Sequence, residues 1–340
     1  MRLEERAVPD AFGTILMHNV ADTEGKRTLK KGIRLTQDDL DQLAEMGYAT
    51  VEVAVLDADD VHEDEAAVAL AEAMQTEQMS FSRPTGGRVN LRCTVDGLLE
   101  VDAERLLEVN LLPGFALATR RHHTVVGPNQ ETDNLATLKI VPYAVSRADM
   151  DHALELASAR PGIVEIRPFQ PDRRVAMLFV AEPAAQDRTR DQYLPPTQAR
   201  LERLGAKVVA TEAVPQDESA IAQAAASLVE KVDVLIIAGQ TSVIHEDDTT
   251  LRALRQAGAE TTLSGAPVEP GNLLALAYFP GTPTGTPAMC APGCAKGPKR
   301  NVVDLVLPRL LLGDRLERRD IAALGLGGFL TAAERAGDIT

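Results

Sequence analysis

The sequence predicts an α/β protein in which the largest domain is a three-layer α/β/α sandwich around a mostly parallel sheet. From Arg174 onward, strand-like and helix-like segments alternate, which is typical of a parallel sheet covered by helices. Within this stretch, residues 232–238 (VDVLIIA) are almost entirely apolar and rich in β-branched side chains. Such a segment is expected to be buried on both faces, and we interpret it as a central parallel strand.

Composition limits the possible functions. A chain of 340 residues is expected to form two or three domains, and its 45% hydrophobic content is sufficient for their cores. The formal net charge of -15, without a block of Lys and Arg, argues against a nucleic-acid partner. No apolar run is long enough to span a membrane, and the N-terminal sequence lacks the apolar core of a signal peptide. We therefore expect a cytoplasmic protein.

Four segments are predicted along the chain. Residues 1–80 are expected to form a mixed α/β unit with an acidic helix, and residues 81–172 a β-rich α+β domain. Residues 173–315 form the predicted α/β domain, and 316–340 a C-terminal tail. In the first two segments, Thr36 and Ser146 are predicted helix N-caps, because each is followed three residues later by an Asp. Residues 11–20 (AFGTILMHNV) are predicted to be strand-like.

The α/β domain is predicted to contain six strands and four helices. The predicted strands are VAMLFVA, AKVVATEAV, VDVLIIAG, AETTLSGAPV, NLLALAYF and Pro287–Ala291, and the predicted helices are 189–204, 218–231, 249–258 and 301–312. One acid among Glu246, Asp247 and Asp248 is expected to cap the helix that begins at 249.

Four polar loops follow predicted strands of this domain. They are 215–219 (PQDES), 239–248 (GQTSVIHEDD), 267–272 (PVEPGN) and 292–301 (PGCAKGPKRN). In open α/β sheets, ligands bind at the carboxyl ends of the strands, so these loops are expected to converge on a ligand. Asp217 is either a helix cap or a partner of Asp247 in holding a magnesium ion or a reacting group.

Basic and thiol side chains suggest further sites. Lys296, Lys299 and Arg300 precede a predicted helix N-terminus and form a predicted phosphate cradle. Cys290 and Cys294 have no further Cys or His nearby to complete a zinc site, so they either pack in the loop or contact the ligand.

The remaining basic residues and the histidines are less specific. The patch at 120–123 (RRHH), with Lys139 not far along the chain, is either a solvated edge strand or an anion contact. The six histidines show no metal-ligand spacing.

Four motifs of the α/β domain together resemble a known family. They are D-x-x-x-I at 217–221, G-x-T-S-x-x-x-x-D at 239–247, P-G-N at 270–272 and A-P-G-C-A at 291–295. This succession resembles the molybdopterin-binding domain family of molybdenum cofactor biosynthesis, which includes molybdopterin adenylyltransferases, molybdotransferases and competence-damage-inducible proteins. The resemblance covers about 175–313. Residues 13–19 and 29–32 are similar, more weakly, to the amino-terminal part of molybdotransferase-like proteins.

The resemblance implies a ligand and a set of site residues. The implied cofactors are molybdopterin, or its adenylated form, and magnesium, with Asp217 and Asp247 in the catalytic and metal-binding positions. The implied cofactor-binding residues are Gly239, Gln240, Thr241, Ser242, Pro270, Gly271, Asn272, Pro292, Gly293, Cys294, Lys296 and Lys299. Gln240 and Cys294 depart from the family, which usually has a second glycine at the first position and often Asn at the second.

The resemblance also implies a function, for which three alternatives remain open. The first is a molybdopterin-binding protein of molybdenum cofactor biosynthesis, similar to a molybdotransferase, that assists molybdate insertion. The second is a non-catalytic cofactor carrier or sensor that acts with a nucleotidyltransferase partner. The third is a nucleotide pyrophosphatase on the same scaffold. Family members commonly assemble, so a homo-oligomer is expected.

Overall fold

The computed structural model describes residues 1–22, 25–128, 134–282 and 285–336, and it forms two compact units. The first unit is Met1–Arg167 and the second is Pro168–Thr340. Among the helices of the described residues, none has the length and apolarity to cross a membrane. The finer division of the first unit at residue 80 stays a prediction.

The first unit is mixed α/β and rich in short strands. Its strands are β1 Arg2–Ala7, β2 Ile15–Leu16, β3 Val20–Ala21, β4 Arg27–Leu29, β5 Thr50–Val55, β6 Asp60–His62, β7 Met79–Phe81, β8 Arg88–Cys93, β9 Gly97–Val101, β10 Phe115–Thr119, β11 Val125–Val126, β12 Asn134–Ile140, β13 Ala144–Ser146 and β14 Val164–Pro168. Its helices are α1 Gln37–Glu45, α2 Glu63–Met74, α3 Ala103–Leu111 and α4 Arg147–Ser158.

Antiparallel pairing organises the sheets of this unit. The described sheets include the orders β1-β5-β2, β10-β12-β8-β7 and β11-β9-β14. Helix α2 packs on α4 and on strands β8 and β12, around a core that contains Leu70, Met74, Leu91 and Leu138. This is the mixed, β-rich N-terminal region that the sequence predicted.

Local signals at the helix starts are confirmed, and one strand is shorter than expected. Thr36 caps α1 in a reciprocal capping box with Asp39, and the side chain of Ser146 caps α4. In 11–20, the strand residues are Ile15 and Leu16 of β2 and Val20, the first residue of β3. The reason is a turn at Gly13, which has φ of +76°, beside a hydrogen bond from the Thr14 hydroxyl to the carbonyl of Ala11.

The second unit alternates strands and helices. Its strands are β15 Arg173–Val180, β16 Ala206–Val214, β17 Val234–Gly239, β18 Glu260–Ser264, β19 Ala275–Tyr278 and β20 Pro287–Ala291. Its helices are α5 Gln186–Arg203, α6 Glu218–Val229, α7 Thr249–Gln256, α8 Val302–Leu311, α9 Arg318–Ala323 and α10 Ala332–Ala336. The predicted strand AETTLSGAPV ends early, at Ser264, because the chain turns at Gly265, where φ is +88°.

The six strands of the second unit form one sheet in the order β16-β15-β17-β20-β19-β18. Strand β17 pairs in parallel with β15 and β20, so the prediction of a central parallel strand is confirmed. Strand β19 runs antiparallel to both of its neighbours, β20 and β18, so β18 has the same direction as β20. The carboxyl ends of the other five strands therefore lie at the same edge of the sheet.

Helices cover both faces of this sheet. Helices α6 and α7 pack on one face, where Ile221 and Leu254 join Leu178 and Leu235 in one core. Side chains alternate along a strand, so the buried residues next to Leu178 point to the opposite face. Helix α5 packs on β15, β16 and β17, opposite α6 and α7. The predicted three-layer α/β/α domain is confirmed.

Candidate functional site

Two helices begin at the carboxyl edge of the sheet, and an aspartate caps each of them. The Asp217 carboxylate accepts the N–H of Ala220 at 2.9 Å and caps α6. Asp248, the last of the three consecutive acids, accepts the N–H of Thr250 at 2.9 Å and caps α7. Both predicted capping roles are confirmed.

Asp247 lies in an exposed loop and is held by arginines of α7. Its carboxylate, 73% exposed, is 3.5 Å from Nη2 of Arg255. Arg252 donates both to the Glu218 carboxylate, at 2.9 Å, and to the carbonyl of Asp247. The guanidinium of Arg252 thus joins the loop after β17 to the start of α6. A shared role of Asp217 and Asp247 stays a prediction.

The turn after β17 is tight and is fastened to its neighbour. A Cβ atom on Gly239 would lie 2.4 Å from the carbonyl oxygen of Thr241, so the turn requires glycine. The Gln240 N–H donates to the carbonyl of Val180, and its side-chain oxygen accepts the N–H of Glu182 at 3.3 Å. The side chain of Gln240 therefore has a structural partner in the loop after β15.

Two contacts connect the predicted loops with one another and with α8. The hydroxyl of Ser242 is 3.7 Å from the position that a Cβ atom on Gly293 would occupy. The Val302 N–H donates to the Pro270 carbonyl at 3.2 Å. Gly271 is buried with φ of +136°, and a Cβ atom there would lie 2.3 Å from Cγ1 of Val302. The loop after β17 therefore lies beside the loop after β20, and the loop after β18 lies against the start of α8.

A cavity of about 390 Å³ opens where two of these loops meet α8, within the range of ligand sites in proteins. It is lined by Pro270, Gly293, Cys294, Gly297, Pro298, Lys299, Asn301 and Arg335. Four of these residues belong to the predicted cofactor-binding set: Pro270, Gly293, Cys294 and Lys299. Among the described residues, the other predicted ligand contacts and both predicted catalytic acids lie outside this lining.

Three of the other predicted contacts, Asn272, Pro292 and Lys296, have different environments. Asn272 is exposed and donates to the Glu269 carboxylate at 3.3 Å. Pro292 is buried. The Nζ atom of Lys296 lies 5.2 Å from the ring centre of Tyr193, in a cation–π contact. Lys296 therefore packs on α5, whereas Lys299 lines the cavity.

A buried arginine holds the loop that lines the cavity. The side chain of Arg200, on α5, is 3% exposed and forms an ion pair with Asp304, on α8, at 2.9 Å. Its Nη atoms donate to the carbonyls of Ala295, Gly297 and Lys299 at 3.4, 3.0 and 3.1 Å. Loop 293–300 is thus fixed by one planar group, which suits Arg better than Lys.

The backbone amides at the start of α8 are already bonded. The Asn301 N–H donates to Asp304 at 2.8 Å, and the Val303 N–H donates to the side chain of Asn301 at 3.0 Å. The Val302 N–H donates to the carbonyl of Pro270, so each of these three amides has a partner within the protein. The phosphate cradle of Lys296, Lys299 and Arg300 stays a prediction. A negatively charged ligand in the cavity would contact the side chains of Lys299 and Arg335.

The two nearby cysteines differ in environment. Cys290 lies in the core on β20, where burial, followed by the charge of Asp248, raises the pKa of its thiol to about 12. Cys294 lines the cavity, and burial raises the pKa of its thiol despite the nearby charge of Arg200. Both are free thiols, and both are protonated at neutral pH. Cys290 is a packing residue, while Cys294 is placed for ligand contact.

The spacing of acids and histidines along the sequence did not indicate one cluster of titratable side chains in the first unit. Glu100, His122 and His123 place one ligand-type atom each within 4.8 Å of one another. Arg167 also lies 3.3 Å from the Glu100 carboxylate. The Val101 N–H donates to Nδ1 of His122 at 3.0 Å, so a neutral His122 ring carries its proton on Nε2. Glu100 therefore forms an ion pair with Arg167 and faces both histidine rings.

Lys139 is not part of the basic patch at 120–123. Its Nζ atom lies 2.9 Å from the carboxylate of Glu63, which is 3% exposed, and it also donates to the carbonyl of Gly86. The pair is structural, because a carboxylate buried this deeply requires a counter-charge.

Comparison with known proteins identifies the second unit. Residues 176–311 match the family described as "Probable molybdopterin binding domain", and residues 5–55 match a "Domain of unknown function (DUF8806)". No curated protein matches the chain.

Solved structures similar to this chain come from molybdenum cofactor proteins. A molybdenum cofactor biosynthesis protein from Pyrococcus furiosus has 12% identity and a TM-score of 0.26, over 95% of this chain and 65% of that one. A putative molybdenum cofactor biosynthesis protein from Corynebacterium diphtheriae has 14% identity and a TM-score of 0.32, over 42% of this chain and 97% of that one. A molybdopterin biosynthesis moeA protein from Pyrococcus horikosii has 13% identity and a TM-score of 0.31, over 94% of this chain and 75% of that one. TM-scores this low carry no argument about fold or function.

The fold and the loops together define an α/β domain with a cavity at the carboxyl edge of a mostly parallel sheet. Residues 176–311 of this domain belong to the molybdopterin-binding domain family of molybdenum cofactor biosynthesis, as the sequence motifs predicted.

Sequence reasoning missed three residues at the cavity. Asn301 was recognisable as a helix N-cap, since Asn before an apolar helix is a strong capping signal. Arg200 gave no signal, because a buried arginine and an exposed one look alike in a helix sequence. Arg335 lies in the segment that was predicted to be a tail.

Proposed function

We propose that this protein binds molybdopterin in the cavity of its second unit and acts in molybdenum cofactor biosynthesis. The observation that carries the proposal is the position of the cavity. Seven of its eight lining residues lie within the family-matched range, at the edge where α/β sheets bind ligands, and two of the lining residues, Lys299 and Arg335, are basic. Positive side chains suit the phosphate of this ligand in a chain with net charge -15.

In this proposal, the loops provide shape as well as charge. Gly293 leaves room beside Ser242, and Gly271 allows its loop to lie directly on α8. Cys294 and Lys299 then contact the ligand from loop 293–300. The remaining predicted contacts, from Gly239 to Ser242, extend the site along the carboxyl edge toward β17.

The catalytic part of the proposal is assistance to molybdate insertion, with Asp217 and Asp247 as magnesium ligands. Carboxylate oxygens are the ligands that Mg²⁺ prefers. Asp217 uses Oδ1 in its capping bond, and Asp247 is largely exposed. Magnesium would stabilise negative charge at the phosphate or adenylate, and the protein would hold the ligand and the metal in position.

A binding experiment tests the proposal. Purified protein is titrated with molybdopterin and with its adenylated form, with and without magnesium and molybdate, and pterin fluorescence reports binding. Saturable binding followed by conversion that needs both magnesium and molybdate is expected. Absence of binding to either form would refute the proposal.

Two substitutions distinguish the predicted magnesium-binding role of Asp217 from its role as a helix cap. Asp217→Asn keeps a capping side chain, whereas Asp217→Ala is expected to cost about 1 kcal/mol of stability. If Asp217 binds magnesium, Asp217→Asn retains wild-type stability yet loses magnesium-dependent conversion. Asp247→Ala is expected to lose conversion with its fold intact, and a fully active Asp247→Ala variant would remove Asp247 from the mechanism.

A second candidate function is a non-catalytic carrier or sensor that passes the cofactor to a partner. It is favoured by the position of the two acids, each with a structural contact and neither lining the cavity. The attachment of Gln240 to the loop after β15 also favours it. This function predicts that the protein retains molybdopterin without turnover, and magnesium-dependent product would exclude it.

A further inference from the structure

The C-terminal segment places an arginine in the cavity wall. Arg335, on α10, lines the cavity together with Lys299 and Cys294. The Nε atom of Arg335 is buried, and among the described residues it has no hydrogen-bond partner. Buried donors of this kind are rare in folded proteins and call for an explanation.

Backbone contacts fix the position of this segment. Residues on either side of Phe329 bond to Glu269, whose N–H donates to Gly328 at 2.8 Å and whose carbonyl accepts the N–H of Leu330 at 2.9 Å. The carbonyl of Arg335 accepts the N–H of Arg300 at 3.4 Å. The segment is therefore bonded to the two loops that form the cavity, after β18 and after β20.

The start of α10 is also fixed. Thr331 and Glu334 form a reciprocal cap, in which Glu334 accepts the N–H of Thr331 at 3.0 Å and the Thr331 hydroxyl accepts the N–H of Glu334 at 3.3 Å. Arg335 follows directly within this turn. Its backbone is thereby held before any ligand arrives, which lowers the entropy lost when its side chain binds.

We propose that Arg335 binds a phosphate monoester of the ligand in this cavity, so that the C-terminal segment is part of the binding site. This inference rests on the proposed molybdopterin-binding function and extends it to a residue outside the family-matched range 176–311. A guanidinium is always charged and bonds phosphate through two parallel N–H groups. Lys299, on the same cavity wall, adds a second charge.

The test compares two ligands and four proteins. The full chain, Arg335→Gln, Arg335→Lys and Arg319→Gln are each titrated with molybdopterin and with its dephosphorylated form. Arg319 is an exposed arginine of α9, so Arg319→Gln is a control for the same change of net charge. Thermal unfolding of each variant establishes that the fold is retained.

Wild-type protein and Arg319→Gln are expected to prefer the phosphorylated ligand by about 10- to 100-fold, the range for a hydrogen bond to a charged group. Arg335→Gln is expected to lose most of that preference, because only Lys299 then remains on this wall, and to bind the dephosphorylated form as wild type does. Arg335→Lys is expected to retain part of the preference, since charge remains without the planar fork.

Two contrary outcomes are distinguishable. If wild type binds but Arg335→Gln keeps the full preference for the phosphorylated ligand, the role of Arg335 is wrong and molybdopterin binding stands. If wild type binds neither ligand, the proposed function is wrong, and the proposed role of Arg335 is then wrong as well.

Discussion

The guanidinium of Arg200 and the carboxylate of Asp304 form an ion pair that joins α5 to the start of α8, with Nε and Oδ1 2.9 Å apart. The same carboxylate accepts the N–H of Asn301, and the same guanidinium donates to three carbonyls of loop 293–300. The shape of the proposed ligand cavity therefore depends on this buried pair.

We expect Arg200→Met to lower the free energy of unfolding by about 3–5 kcal/mol, because it leaves Asp304 and the loop carbonyls without their partner. Urea unfolding measures the loss. Arg190→Met is the control, since Arg190 is 45% exposed and its ion pairs among the described residues are with exposed acids, so it is expected to change stability by less than about 1 kcal/mol. Equal effects of the two substitutions would show that Arg200 does not organise the loop.

Gly271→Ala is expected to destabilise the second unit more than Gly313→Ala does. Both glycines have positive φ, a backbone conformation that a side chain strains. Only at Gly271 would a Cβ atom also overlap Val302, which adds about 1–3 kcal/mol of overpacking. Thermal unfolding compares the two variants, and equal melting temperatures would contradict the close packing of loop 270–272 on α8.

The thiols of Cys290 and Cys294 are expected to react slowly with iodoacetamide at pH 8. Burial raises both pKa values above the ordinary value of 9.0, so the reactive thiolate is scarcer in the folded protein than in the unfolded chain. The same shifts mean that stability is fully present below pH 9 and falls as pH rises through the folded pKa values. Peptide mapping by mass spectrometry follows each cysteine, with protein in guanidinium as the reference. Rapid labelling of Cys294 at pH 7 would show that its thiol is activated.

Glu100→Gln is expected to lower the melting temperature at pH 7, and the deficit is expected to disappear in acid. Burial alone would raise the pKa of Glu100, but the hydrogen bond and charge of His123, with His122 and Arg167, hold it below its ordinary value of 4.5. A lowered folded pKa contributes stability above pH 4.5, and that contribution is lost as pH falls through the folded pKa. Melting curves from pH 7 to pH 3 test this, and a deficit independent of pH would exclude an ionic role for Glu100.

Elements set by local pattern were predictable from the sequence. The apolar run of β17 indicated a central strand, and the acids at Asp217 and Asp248 indicated helix starts, because both signals act within a few residues. The family motifs then indicated the loops that meet at the cavity. Pairings between distant segments were not predictable in this way. Arg200 with Asp304, and Glu269 with the chain near Arg335, depend on which helices and loops the fold brings together.

The binding of molybdopterin to a protein with a filled cavity tests the central claim most directly. Gly293 lines the cavity, and a Cβ atom there has only ordinary contacts, so Gly293→Leu is expected to fill the cavity without unfolding the domain. Gly281→Leu is the matched control, because Gly281 is exposed and faces open space. We predict that Gly281→Leu binds molybdopterin as wild type does and that Gly293→Leu binds at least about tenfold more weakly. Equal affinity of folded Gly293→Leu and wild type would show that the ligand does not occupy this cavity.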